Sequence, residues 1–266
     1  MRLALLALLL LAPLARAQDL AVEVDAFPFP LKPLVQTGTA EVRTTAPCGE
    51  DVTFTTESPS DRVRASVDPP SIASPACEGT WPGKATLRVT LEADAPAMEP
   101  IPVGVRAHAG ASNLSAWADV RAAFVGILDV QANQTEATVQ PQRVATFEVG
   151  IVNLGNGNAK VTFEVLQQPR EVTVPTPPGV TVQPGQRVTV PISAHAAAKN
   201  GVNDGTAVFT LLLRSAHALH PDQAGESETL SFVVHVRGTY VPAAPAWAVL
   251  AGGALLAATV RKARDT

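Results

Sequence analysis

Aromatic side chains make up only 5% of the 266 residues, and cysteine occurs twice. With so few rings, Val, Ala, Leu and Thr must fill the interior, a composition that suits strands. Charged residues are also sparse, at 17% against 46% apolar, which excludes a disordered chain. Between the two termini no helical period of useful length appears. Basic charge is short as well. Residues 18–240 carry 15 Lys and Arg against 23 Asp and Glu, a net charge of −8. Nucleic acid is therefore not an expected partner, since phosphate binding needs a basic stripe. No Gly-x-Ser-x-Gly, His-Glu-x-x-His or phosphate-binding glycine loop is present, and no carboxylate pair stands out for acid and base work. The chain is expected to be no enzyme and to need no cofactor.

Turn residues are what the sequence has in quantity, with 23 Pro and 18 Gly. They punctuate a pattern seen best from Arg143 to Val165. Ala145, Phe147, Val149 and Ile151 alternate with Thr146, Glu148 and Gly150, then an Asn-Gly-rich turn intervenes, and Val161, Phe163 and Val165 resume the alternation. A period of two marks half-buried strands. Similar stretches lie near 20–25, 40–44, 51–56, 85–92, 101–108 and 117–125, and again at 128–131, 143–153, 160–167, 186–194, 207–215 and 229–237. Local matches relate the halves: Asp51-Val-Thr-Phe with Lys160-Val-Thr-Phe, Pro69-Pro70 with Pro177-Pro178, and Pro82-Gly-Lys with Pro184-Gly-Gln. Duplication explains them economically. The expected architecture is all-β, two tandem immunoglobulin-like sandwiches spanning 18–126 and 127–238.

The ends set the compartment. Residues 1–17 join Arg2, an apolar run and Ala15-Arg16-Ala17, the layout of a cleaved secretory signal. From 239 to 260 no side chain is charged, and Arg261, Lys262 and Arg264 follow in the tail 261–266. That is a stop-transfer pattern, predicting one transmembrane helix, a cytoplasmic tail and an ectodomain outside the cell membrane, with Tyr240 and Trp247 near the outer interface. The same tail resembles the tripartite sorting signals of prokaryotic surface proteins, which are cut and replaced by another anchor.

The run of a strand, Val-Asn153-Leu-Gly-Asn156, a second strand, then Gln183-Pro-Gly-Gln186 and Val-Thr-Val resembles immunoglobulin-like modules of prokaryotic surface proteins. These include the CARDB-type and the α-galactosidase-associated additional domains. The resemblance covers 127–238 well and 18–125 more loosely. It implies adhesion, spacing or protein interaction at the envelope, with other surface proteins or glycans as partners, and no catalytic residue.

Particular residues carry narrower expectations. Cys48 and Cys77, in a secreted chain without Cys-x-x-Cys spacing, are expected to form one disulfide. Trp117 falls on the outward phase of its strand and, with Trp81, is a candidate interaction residue, although packing under a loop or against the adjoining domain is the simpler explanation for either. His108 and His235 read as outward strand positions. Only His217 and His220 cluster in a way that suits a metal, and two ligands make no specific site, so none is assigned. Asn203-Asp204-Gly205 reads as a turn, without the ladder of a calcium loop. Asn113 and Asn133 open glycosylation sequons that flank the expected domain junction, where sugars would crowd a hinge. Intact mass before and after deglycosylation should fall by the mass of a glycan; an unchanged mass counts against occupancy.

Overall fold

The computed structural model describes residues 20–197 and 199–240. The signal peptide, the tail, and the expected span apart from Thr239 and Tyr240 lie outside the described residues. Among the described residues there is no helix, and so none long and apolar enough to cross a membrane.

The first eight strands are β1 (Ala21–Val24), β2 (Thr37–Pro47), β3 (Val52–Glu57), β4 (Val63–Asp68), β5 (Ser71–Ile72), β6 (Thr80–Leu91), β7 (Pro100–Ala109) and β8 (Ser112–Arg121). They form two four-stranded sheets, ordered β1-β2-β6-β4 and β5-β3-β7-β8. Set aside the two-residue β5, and this is the strand order of an immunoglobulin sandwich, with first, second, fifth and fourth strands on one sheet and third, sixth and seventh on the other. The next nine are β9 (Leu128–Ala132), β10 (Glu136–Val139), β11 (Val144–Asn153), β12 (Ala159–Gln167), β13 (Val172–Thr173), β14 (Val180–Val182), β15 (Arg187–Ala196), β16 (Gly201–His217) and β17 (Ala224–Tyr240). Their sheets run β13-β15-β11-β9 and β10-β17-β16-β12-β14, the same plan with one added edge strand, β10.

The strand plan repeats in detail. In both units a short segment after the third strand pairs with the fifth, and a second short segment returns to pair with the third. Both first segments also change sheets. β1 pairs with β2, the chain hops through Phe27-Pro28-Phe29-Pro30, and Leu31 then bridges Ala122 in parallel. Likewise β9 pairs with β11, and β10 then runs parallel to β17. Val52-Thr-Phe and Val161-Thr-Phe occupy equivalent strands, as the repeat reading requires. Pro82-Gly83 and Pro184-Gly185 do not. The former lies inside β6, the latter in the turn before β15. Pro82 sits past the reach of β4, whose last partner on β6 is Thr86, and there a missing N–H is tolerated.

The chain divides into two compact units. One runs to Ile127 and includes Leu154–Ala159 and Ala216–Gly225, two stretches that the repeat reading counts with the second module. In the first unit, inward positions of β2 and β6 pair large with small: Ala46 opposite Trp81, Thr44 opposite Gly83, Val42 opposite Ala85 and Ala40 opposite Leu87. The Trp81 ring lies over Gly83, where an added Cβ would meet both Trp81 and Thr44 at 2.9 Å. The second unit places its few aromatics at the centre. Phe147 of β11 packs on Phe209 and Phe232, whose rings stack 5.0 Å apart.

Cys48 and Cys77 form a disulfide with Cα atoms 5.5 Å apart. It continues the β2–β6 ladder, whose end pair is Pro47 and Thr80, and Cys48 N donates to Gly79 O at 2.9 Å. The bond thus fastens two strands of one sheet, rather than joining two sheets. With the cysteines 29 positions apart in sequence, loop-closure entropy gives about 3–4 kcal/mol of stabilisation. The paired substitution Cys48→Ala with Cys77→Ala should lower first-unit stability by about that amount in urea unfolding; an unchanged midpoint would contradict it.

Candidate functional site

The sheet switch in the first unit builds a groove. Asp25 N gives its bond to Glu41 O on one sheet, and Leu31 N gives its bond to Arg121 O on the other. Between them two prolines supply no N–H, so this stretch forms no ladder and bows outward. A groove of about 410 Å³ opens between Val24–Pro30 and Trp117–Arg121 of β8. Phe27 turns inward to pack beside Leu31 over Gly38, while Phe29 is 56% exposed.

Trp117 forms the facing wall. It is outward, as the alternation predicts, and 52% exposed. Its ring lies across Gly104, its cross-strand partner on β7, where a Cβ would come within 3.0 Å of the indole. Glycine there lets one ring face lie flat on the sheet, which fixes the indole while leaving it half open. The neighbouring row is polar: Arg106 pairs with Glu57, and its Nε donates to Ser115 Oγ at 3.3 Å. Asp119 and Arg121 share the outward phase with Trp117 and line the groove. Neither side chain has a hydrogen-bond or ion-pair partner among the described residues. The other five described arginines of this unit, Arg43, Arg62, Arg64, Arg88 and Arg106, are all paired.

Trp81 is not an interaction residue. It is only 5% exposed, and its Nε1 donates to Pro47 O at 3.2 Å. Gly83 beside it makes the room that draws the ring inside, a relation that strand phase alone does not reveal.

The two sequons part company. Asn133 is exposed, and its Oδ1 accepts the Glu148 N–H at 3.0 Å. Asn113 is exposed near the start of β8, eight residues and roughly 26 Å of extended strand before Arg121.

The histidines take separate roles. His108 and His235 are half-buried and His195 is exposed. His235 lies between Glu136, at 2.6 Å from Nε2, and Thr206, at 2.9 Å from Nδ1. Carboxylate, imidazole and hydroxyl in a row resemble a nucleophilic relay. Glu136 and Thr206 are exposed on strand faces, however, which suits a cross-strand hydrogen-bond ladder. His217, in the first unit, is 6% exposed, edge-on to Phe124, and its Nδ1 accepts the His220 N–H at 3.2 Å. That nitrogen is already engaged. Among the described residues no group of three metal-ligating side chains gathers. Asn203-Asp204-Gly205 is strand, not turn, because β16 begins at Gly201; Asn203 instead ties down the connection from β15, bonding Lys199 N and O through its side chain. Tyr240 ends β17, and its hydroxyl accepts from Gln142 Nε2 at 2.8 Å.

Asn156 is the polar residue that turn chemistry alone did not single out. It is buried within the first unit. Its Oδ1 accepts Val125 N at 2.8 Å, and its Nδ2 donates to Ala95 O and Ala123 O at 3.0 Å each. Asn153 is likewise buried and donates to Val182 O at 2.9 Å. The Asn-Leu-Gly-Asn signal therefore supplies interior hydrogen bonds as well as a turn.

Burial pushes the His217 pKa down, with the His220 imidazole adding to the effect and Asp222 and Glu99 opposing it. The unfolded chain, holding His217 near 6.5, takes up its proton first as pH falls. The first unit then loses stability as pH drops through that value, until the folded His217 also protonates. Melting of the full chain from about pH 8 to about pH 5 should show this decline, and His217→Gln should flatten it. An unchanged slope in the variant would contradict the assignment.

No family model matches the chain, and no curated protein matches it. Solved structures of similar outline include a Porphyromonas gingivalis protein of unknown function, 12% identical over 83% of this chain and 100% of that one, TM-score 0.31. A titin fragment is 8% identical over 84% and 98%, TM-score 0.32. Domains 4 and 5 of the S-layer protein SbsC are 16% identical over 56% and 69%, TM-score 0.25. At these scores the likenesses carry no functional argument, and the immunoglobulin-type assignment rests on the strand order described above.

Proposed function

We propose that the chain is a cell-surface module, secreted through its N-terminal signal, held by its C-terminal apolar run, and displaying two immunoglobulin-type sandwiches for adhesion, spacing or protein interaction at the envelope. Its role is binding and display, not catalysis, and its partners are other surface proteins or glycans. The observation that carries this reading is Trp117, a large ring fixed on an outer sheet face and left half exposed. Exposed rings of this kind are what interaction surfaces use, because they give contact area at little conformational cost. A second reading, a glycan-binding accessory subunit of a surface enzyme or transporter, gains support from the polar groups lining the groove beside that ring.

Compartment is the part most directly tested. Protease treatment of intact cells producing the chain with a C-terminal tag should digest the sandwiches and spare the tag. Recovery of the undigested chain in a cytosolic fraction would overturn the proposal.

A further inference from the structure

We infer that the groove between Val24–Pro30 and Trp117–Arg121 is a binding site for a carboxylate-bearing sugar. The inference deepens the glycan reading above. Three features of the first unit carry it together. The groove holds about 410 Å³, inside the range of roughly 300–1,000 Å³ usual for small-ligand clefts. Its apolar contribution comes from rings and prolines, with Phe29 and Trp117 both half exposed and the indole held against Gly104. Its polar contribution comes from Asp119 and Arg121, one anion and one cation, without partners among the described residues, in a unit whose other described arginines are all paired.

A sugar ring offers what these groups lack. Its C–H face covers the open side of the indole, and its hydroxyls donate to the Asp119 carboxylate. A sugar carboxylate completes the set, because its two oxygens accept two parallel N–H bonds from the guanidinium, which a single hydroxyl oxygen cannot do. An apolar peptide would fill the rings while stripping water from two charged groups and giving nothing back. A cationic ligand would meet Arg121 with like charge. The carboxylated saccharide is the chemistry that satisfies ring, anion and cation at once.

The test is a glycan array with matched carboxylated and neutral saccharides, probed with the full chain in detergent, followed by titration of the best binder. Carboxylated sugars should be retained over their neutral counterparts, and more salt should weaken them. Trp117→Ala should reduce affinity at least tenfold, with Trp117→Phe recovering part of it. Arg121→Gln should lower affinity for carboxylated sugars at least tenfold without changing that for neutral ones. Melting curves verify that each variant is folded. Equal retention of both classes, no retention, or affinity unmoved by Trp117→Ala overturns the inference. A chain that protease shaving places at the surface but that fails on the array loses the sugar site and keeps the display reading; a cytosolic chain that binds does the reverse.

Discussion

A chain that begins a sandwich must leave one sheet and reach the other, and in the first unit this single crossing governs what surrounds it. The last bond on one side is made by Asp25 and the next on the other by Leu31. Backbone in between has no ladder, and polar groups without partners have to face water. Proline at alternate positions removes two donors that would otherwise need satisfying, and phenylalanine between them anchors the crossing, Phe27 inward over Gly38. Leu31, almost fully buried, then locks the far end against β8. The groove beside Trp117 is the space left by that bowed segment. It is a consequence of how the sandwich closes.

How far the sequence discloses this depends on what kind of signal each residue gives. Alternation discloses phase, and phase was enough to turn Trp117 outward while Ala118, Val120 and Ala122 went inward. The same rule cannot rank two tryptophans by exposure. Trp81 is hidden because Gly83, Thr44 and Ala46 leave a space its ring fills, and that space exists only once β2 and β6 are in register. Short strands also escape. β5 and β13 have two residues each, and β10 four, too few to show a period. β4 does alternate, but only Val63 is buried, so its apolar signal is diluted by Arg64, Ser66 and Asp68.

Duplication explains both the agreements and the failures of the internal matches. A Val-Thr-Phe segment recurs at equivalent strands because the inward Val and Phe are needed in each core, at Val52 and Phe54 and again at Val161 and Phe163. The Pro-Gly match fails because the two dipeptides answer different demands. Gly185 takes a positive φ of 73° in a turn, whereas Gly83 is extended strand that must lack a side chain beneath an indole. Identical residues at similar spacing had different causes. Repeat evidence is thus stronger where the matched residues face a core than where they are glycine and proline, which serve several geometries.

The distribution of paired and unpaired charge separates structural surface from functional surface in the first unit. Its exposed ion pairs lie mostly across strands: Arg43 with Asp25, Lys84 with Glu41, Arg88 with Asp68, Arg106 with Glu57. Individually such exposed pairs contribute little, roughly 0–1 kcal/mol. What they do accomplish is to leave the sheet faces with few available charges. Against that background Arg121 is the exception among the described arginines of the unit, standing without a partner two residues from Asp119 on β8 and next to the one exposed tryptophan among the described residues. A pure spacer has no use for such an exception, because its surface needs only solubility. The proposed sugar site draws on that charge pattern, at the crossing where the backbone already departs from the ladder.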